Sequence, residues 1–382
     1  MMQILHDLLC YKHWTSYSAV PNNQEYILIV KGGIIMKLKT HIAGVAALAV
    51  MAAGGATVAA SAQSTLETVK ERGHVRCQVG SPSPGYYNLD SDGNWYGLDV
   101  SVCKAVAAAV LGDVSKLEIQ SVSTQSRFTA LANGESDLLS RTATMTLTRD
   151  TQLGLDFMPP NFYDGQGFTV RKDSGITSAL QLKGAKVCVT TGTTTELNLT
   201  DYSRKNDLNI SNVTFEDWNV RDDTYLNGGC DAVTGDKSSM AGNISSFPVP
   251  EDHMILPETL SKEPLASAVR QGDDGWANIV RWTVYALINA EELGITQANV
   301  DEMRDTSTDP NVLRMLGVEG NLNVGLGLDK DWAYNVIKGV GNYGEIYEAY
   351  MGSGPQGIGI DREGTLNALW TNGGLMYSPP MR

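Results

Sequence analysis

Gly97-Leu-Asp-Val-Ser-Val-Cys-Lys-Ala-Val-Ala-Ala-Ala-Val-Leu111 carries apolar residues at helical spacing and stops at Gly112, where a glycine ends a helix without steric cost. Residues 74–80 before it read as a strand, and 116–122 after it alternates like one. A helical pattern at 125–132 and a short strand at 136–139 follow. This order, βαβαβ, predicts a parallel sheet with helices on its faces. The pattern restarts beyond Asp173. Strands are expected at 185–190, 213–216 and 230–234, and helices at 194–205, 221–227 and 236–243. Gly165-Gln-Gly-Phe-Thr-Val170 and residues 260–269 read as extended and flank this second unit, as two crossovers between lobes would. Helical spacing returns at 276–293 and 330–351. The expected fold is α/β: two doubly wound lobes joined by two extended crossovers. The first lobe takes 63–167 and 265–382, the second 168–264.

The N-terminal residues belong to neither lobe in this reading. Met36-Lys-Leu-Lys-Thr-His41 is basic, 42–60 is a run of small and apolar residues, and Ala60-Ser61-Ala62 is a small-x-small triplet. Together they read as a secretory signal peptide over 36–62, cleaved near Ala62. Residues 1–35 then lie upstream of a start at Met36, as a mis-called extension. No cysteine closes the apolar run, so no lipid anchor is expected. A free-floating secreted protein is retained only behind a second membrane, which points to the periplasm.

Residues 1–62 hold four Lys/Arg and two Asp/Glu, so the remaining 320 residues carry 25 basic against 41 acidic groups, a net −16. That length suits two domains with ample cores. The acidity argues against nucleic acid, whose phosphates demand a basic face. Four cysteines remain: Cys77, Cys103, Cys188 and Cys230. Of the three possible pairings, Cys77–Cys103 with Cys188–Cys230 keeps each bridge within one proposed lobe, as suits an oxidising compartment.

Enzyme constellations are scarce. Only His74 and His253 remain after residue 62, neither at metal-ligand spacing, and GxSxG, HExxH and Walker sequences are missing. Gly339-Val-Gly-Asn-Tyr-Gly344 matches GxGxxG but sits in a helical pattern with no strand before it, so its glycines are expected to let a helix bend or pack closely. No cofactor or metal is expected.

Three segments carry chemistry suited to a small zwitterion. Ser140-Arg-Thr-Ala-Thr-Met-Thr-Leu-Thr-Arg-Asp150 leaves a strand crowded with hydroxyls and reaches Arg149, whose planar fork suits a carboxylate; Thr142 and Thr144 add O–H donors. Val187-Cys-Val-Thr-Thr-Gly-Thr-Thr-Thr-Glu-Leu197 runs from strand through glycine into a helix. Thr193 and Glu196 there are spaced as a capping box, and the Thr194 hydroxyl lies beside a helix start that favours anions. Gly229-Cys-Asp-Ala-Val-Thr-Gly-Asp236 puts Asp236 just past a strand, at the edge where open α/β sheets bind ligands. A cation and hydroxyls in one unit thus face an anion-friendly helix start and an acid in the other.

Several stretches in the same order make the resemblance to a known family specific. They include Trp95-Tyr-Gly-Leu-Asp-Val100, Arg127-Phe-Thr-Ala-Leu131, Leu147-Thr-Arg-Asp150, Tyr163-Asp-Gly-Gln-Gly-Phe168, Lys262-Glu-Pro-Leu265 and Trp370-Thr-Asn-Gly-Gly-Leu375. Over residues 64–382 the chain resembles the general L-amino-acid-binding proteins of polar amino acid ABC importers, within the type II periplasmic binding proteins (solute-binding protein family 3). The resemblance implies that Arg149 clamps the ligand α-carboxylate beside Thr144 and Thr194. It implies that Asp236 holds the α-ammonium, with Thr142 contributing at the amino end. Within Pro84-Gly-Tyr-Tyr-Asn88 it favours Tyr86 over Tyr87 as the aromatic over the ligand side chain, although Ser81-Pro-Ser-Pro84 departs from the family pattern. Side-chain discrimination would rest on this loop and on the second lobe near Trp218. The expected partners are free L-amino acids of broad range and inner-membrane ABC permease subunits, with the protein acting as a monomer. The rival reading is a periplasmic enzyme, a dehydratase or lyase, on the same scaffold. That rival needs a general acid or base beyond Asp236.

Overall fold

The computed structural model describes residues 63–382 and the backbone of two further strands, β1 (Glu25–Val30) and β2 (Ile34–Lys39), which form an antiparallel hairpin. Apart from these strands, the extension at 1–35 and the signal peptide at 36–62 lie outside the described residues.

In the unit from Gln63 to Arg382, a parallel core of β3 (Val75–Val79), β6 (Leu117–Ser121) and β7 (Leu138–Leu139) carries the first half of the sheet. A short hairpin, β4 (Asn88–Leu89) and β5 (Trp95–Tyr96), lies outside it. The seventeen-residue β8 (Leu155–Arg171) then runs through both halves. In the second half, β9 (Lys186–Thr190), β10 (Ser211–Phe215) and β11 (Ala232–Asp236) are parallel, β12 (His253–Ile255) pairs β8, and β13 (Lys262–Arg270) returns to the first half. The order is β10-β9-β11-β8-β13-β7-β3-β6. β8 pairs antiparallel with β13 from Leu155↔Arg270 to Gly165↔Lys262, then with β11 from Gln166↔Asp236 to Val170↔Ala232. The change of partner falls between Gly165 and Gln166.

Helix Leu98–Leu111 is apolar on nearly every side, and that composition buries it. It packs on β3 and against helices Asp274–Glu292 and Trp332–Val340. Each of its buried valines contributes on the order of 2 kcal/mol by removal from water. Phe168, Val170, Val187, Val189, Leu199 and Leu256 form a separate core in the second half. The disulfides Cys77–Cys103 and Cys188–Cys230 form as the sequence reading paired them, with Cα separations of 6.0 and 5.8 Å.

Two differences from the sequence reading bear on the site and on the C-terminal helices. β11 begins at Ala232, so Asp236 is its last residue and not one beyond it. The helical pattern at 330–351 breaks into Trp332–Val340 and Tyr343–Tyr350: Gly341 turns left-handed at φ +80°, and Asn342 caps the second helix reciprocally with Glu345. Gly339 does serve close packing, since a Cβ there would sit 2.5 Å from Val114 Cγ1.

Candidate functional site

The carboxyl ends of the parallel strands in both halves face one cavity, the position where open α/β sheets hold ligands. From the first half come Arg127, Arg141, Thr142, Thr144 and Arg149. Thr190, Thr194, Trp218, Arg221 and Asp236 line it from the second. Five of the six ligand-site residues read from the sequence are therefore brought together.

The loop after β7 is held by a buried acid. Asp99, from the first turn of helix Leu98–Leu111, accepts the Thr142 N–H at 2.8 Å, the Asn161 amide at 2.8 Å and the Ser140 hydroxyl at 3.2 Å. Those bonds fix Thr142 in the left-handed region at φ +40°, a strained conformation for a β-branched residue. Met145 N–H to Pro264 O and Ala266 N–H to Ala143 O tie the loop to β13. Thr146 caps helix Leu147–Gln152 by accepting from the Arg149 N–H, and Arg149 Nη1 donates to Thr144 O at 2.9 Å. Arg149 is 8 % exposed, and no carboxylate among the described residues pairs with it within 4.0 Å. Burial weighs against its charge, and Glu263 and Asp236 support it.

Across the cavity, β9 turns through Gly192 (φ +72°) into helix Thr194–Lys205. Thr193 accepts the Glu196 N–H as expected, but the Glu196 carboxylate reaches back to Gly192 N–H at 2.8 Å, so the reciprocal half of the box closes one residue earlier. Asp236 stands at the N-cap of helix Lys237–Ser245 without a side-chain capping bond, and its Oδ1 is buried with no hydrogen-bond partner among the described residues. Burial pushes the Asp236 carboxyl well up; Asp164 and Glu263 add to this, while Arg149 and Arg221 oppose it.

Thr144 and Thr194 meet at 3.4 Å, but both donate their hydroxyl protons to Glu263 Oε2, at 2.6 and 2.9 Å. A threonine has one such proton. The expected O–H donation to a ligand carboxylate is therefore spent on Glu263, and these oxygens offer lone pairs to the cavity. The Thr194 N–H, at the first helical position, has no carbonyl one turn back to bond within the helix.

The aromatic assignment changes as well. Tyr86 is fully buried behind the wall, its hydroxyl 2.6 Å from Ser238 Oγ, whose own proton goes to Asp164. Tyr87 is the tyrosine that lines the cavity, 6.0 Å from the Trp218 ring centroid, with its hydroxyl 3.1 Å from Thr142 Oγ1. Gly97 lets the helix start approach this loop closely, since a Cβ there would lie 2.3 Å from Tyr86 O.

Arg127, Arg141 and Glu263 also stand at the site, although nothing in their local sequence marks them as ligand-site residues. All three stood within stretches already quoted, and their place beside the cavity is the signal that local reading lacks. Among the described residues no group of three metal-ligating side chains occurs.

Residues 75–298 match the family model of bacterial extracellular solute-binding proteins, family 3. The chain is similar to the general L-amino acid-binding periplasmic protein AapJ of Rhizobium johnstonii, 50% identical over 91% of this chain and 100% of that protein. The glutamate/glutamine/aspartate/asparagine-binding protein BztA of Rhodobacter capsulatus is 47% identical over 90% of this chain and 99% of its own. Among solved structures, an ABC transporter/periplasmic binding protein from Brucella ovis with glutathione bound superposes with a TM-score of 0.81 at 49% identity, covering 84% of this chain and all of that one.

Proposed function

The chain belongs to the bacterial extracellular solute-binding proteins of family 3, and from that premise we propose that it captures free L-amino acids in the periplasm and delivers them to an ABC-type permease. The full-length relatives are binding proteins, which supports this role over a dehydratase or lyase. The observation that carries the reading is the pair Arg149 and Asp236: among the described residues, a buried guanidinium without a carboxylate partner and a buried carboxylate oxygen without a donor, facing one cavity from opposite halves.

In this reading Arg149 and the Thr194 N–H take the α-carboxylate. Asp236 takes the α-ammonium, helped by the Thr144 and Thr194 lone pairs and by Thr142. The solutes named for the relatives, L-amino acids and glutathione, share those α-groups. Anchors that hold only shared atoms give broad specificity. The lobes would be 63–167 with 265–382 and 168–264, hinged on β8 and β13, and a bridging ligand would shift the population toward closure. The protein would act as a monomer, secreted after cleavage near Ala62.

A thermal-shift screen against the common amino acids tests this, after bound solute is removed by unfolding and refolding. Solute at a hundred times its Kd stabilises the fold by about 2.7 kcal/mol, so several amino acids should raise the melting temperature by some degrees. Arg149→Ala should abolish every such rise. A flat response from the wild type to all of them contradicts the reading.

A further inference from the structure

Arg149 is not alone. Arg127 and Arg141 line the same cavity at 4 and 3 % exposure, and the Nε of each is buried without a hydrogen-bond partner among the described residues. Neither pairs with a carboxylate within 4.0 Å. Arg127 lies over the Phe128 ring at 4.5 Å. Arg141 lies 5.1 Å from the Trp218 ring and donates to Thr124 Oγ1 at 2.9 Å. Arg221, the fourth arginine of the wall, is different: its Nε donates to Asp222 at 2.8 Å, which balances its charge.

Removing a cation from water costs several kcal/mol, while a desolvated cation–π contact returns about 2. Asp217 and Asp99 support the Arg141 charge from a distance and Asp236 that of Arg127, but no carboxylate among the described residues takes either fork directly. The site is also built to hold Arg141 flat. A Cβ on Gly80 would lie 2.7 Å from Arg141 Nε and 2.6 Å from Trp218 Cη2, so the missing side chain leaves room for the guanidinium between strand end and indole. Trp218 comes from the second half of the sheet, so the subsite is complete only when both halves meet.

We propose that Arg127 and Arg141 form a second anion subsite in this cavity, so that the α-amino acids bound best are those carrying a second carboxylate. This rests on the amino-acid reading above, in which Arg149 is committed to the α-carboxylate. The second carboxylate belongs either to an acidic side chain or to the far end of a γ-glutamyl peptide. A neutral zwitterion leaves the two guanidiniums without a carboxylate in direct contact. A dicarboxylic one brings the fork-matched acceptor that arginine favours.

Calorimetric titration of the refolded protein with L-glutamate, L-glutamine, L-alanine and glutathione decides it. Glutamate or glutathione should bind at least about tenfold tighter than glutamine, its uncharged isostere. Tight glutamate assigns the side-chain carboxylate; tight glutathione with weak glutamate assigns the peptide terminus. Arg127→Met or Arg141→Met should bring that ratio near one. The solute-free variants should melt no lower than wild type, since a buried unpaired charge is gone. Arg141→Lys, which keeps the charge but loses the planar fork, should lower the ratio severalfold and serves if a Met variant fails to fold. Equal affinities for glutamate, glutathione and glutamine in the wild type, or variants that weaken all of them by one factor, overturn the subsite while the amino-acid reading stands. Failure of glutamine, alanine and the acids alike to bind removes that reading, and the subsite with it.

Discussion

Asp236 and Arg149 face the same solvent-poor cavity, yet their protonation responds to pH very differently. An arginine stays charged throughout the range in which proteins fold. Asp236 does not: burial, with Asp164 and Glu263 nearby, raises its carboxyl above the ordinary range near 3.9. Folded Asp236 therefore holds its proton more tightly than unfolded Asp236, so its ionisation costs the solute-free fold stability as pH rises through the window between the two values. An α-ammonium binds the ionised form and supplies the missing countercharge. Its affinity should then fall as pH drops through the raised value, and binding there should release a proton. The ammonium itself stays charged at every pH below about 7.5. Titrations below that pH in buffers of different ionisation enthalpy should show both effects, and Asp236→Asn should remove both while weakening binding. A pH-independent affinity in the wild type would count against Asp236 as the ammonium partner. At this scale the sequence singled out Arg149 and Asp236 because each is read near the end of a recognisable strand, and the structure brings both to one cavity. The sequence did not disclose Arg127, Arg141 or Glu263. A single arginine on a short helix or loop ordinarily reads as surface, and only the folded arrangement turns these inward.

Elements with local punctuation were legible. Helix Leu98–Leu111 ends at Gly112 as read, and helix Thr194–Lys205 matches residue for residue because Thr193 and Glu196 mark its start. The long β8 was read only over 165–170. Pro159 and Pro160 interrupt its alternation, and its partner β13 lies about a hundred residues away, beyond local pattern. Asp236 was placed past its strand because Gly228 and Gly229 carry a turn, with Gly229 N–H on Thr224 O, that delays β11 to Ala232. The disulfides act at the same scale. Cys188–Cys230 spans 42 residues and fastens β9 to the approach of β11, the two strands that carry Thr194 and Asp236 to the cavity. Loop-closure entropy assigns such a bridge roughly 4 kcal/mol. Replacing both cysteines by alanine should lower chemical-denaturation stability by about that amount; an unchanged midpoint would show that the bridge contributes nothing.

Across the whole molecule the two halves touch at Thr144 and Thr194, which share Glu263, and through the loop that precedes the helix bearing Asp99. Ser81 Oγ donates to Asp217 at 2.7 Å, Trp218 Nε1 to Pro82 O at 3.4 Å, and Tyr86 meets Ser238. These polar contacts are modest individually, about 1 kcal/mol each, and in the proposed function they would part and re-form around a hinge on β8 and β13. What would tip the balance toward closure is a ligand held from both sides. A crystal structure of the protein with L-glutamate bound examines that most directly. The α-carboxylate is expected about 3 Å from the Arg149 guanidinium and the α-ammonium about 3 Å from Asp236 Oδ1. A ligand lying the other way round, or held by one half of the molecule alone, would contradict that arrangement.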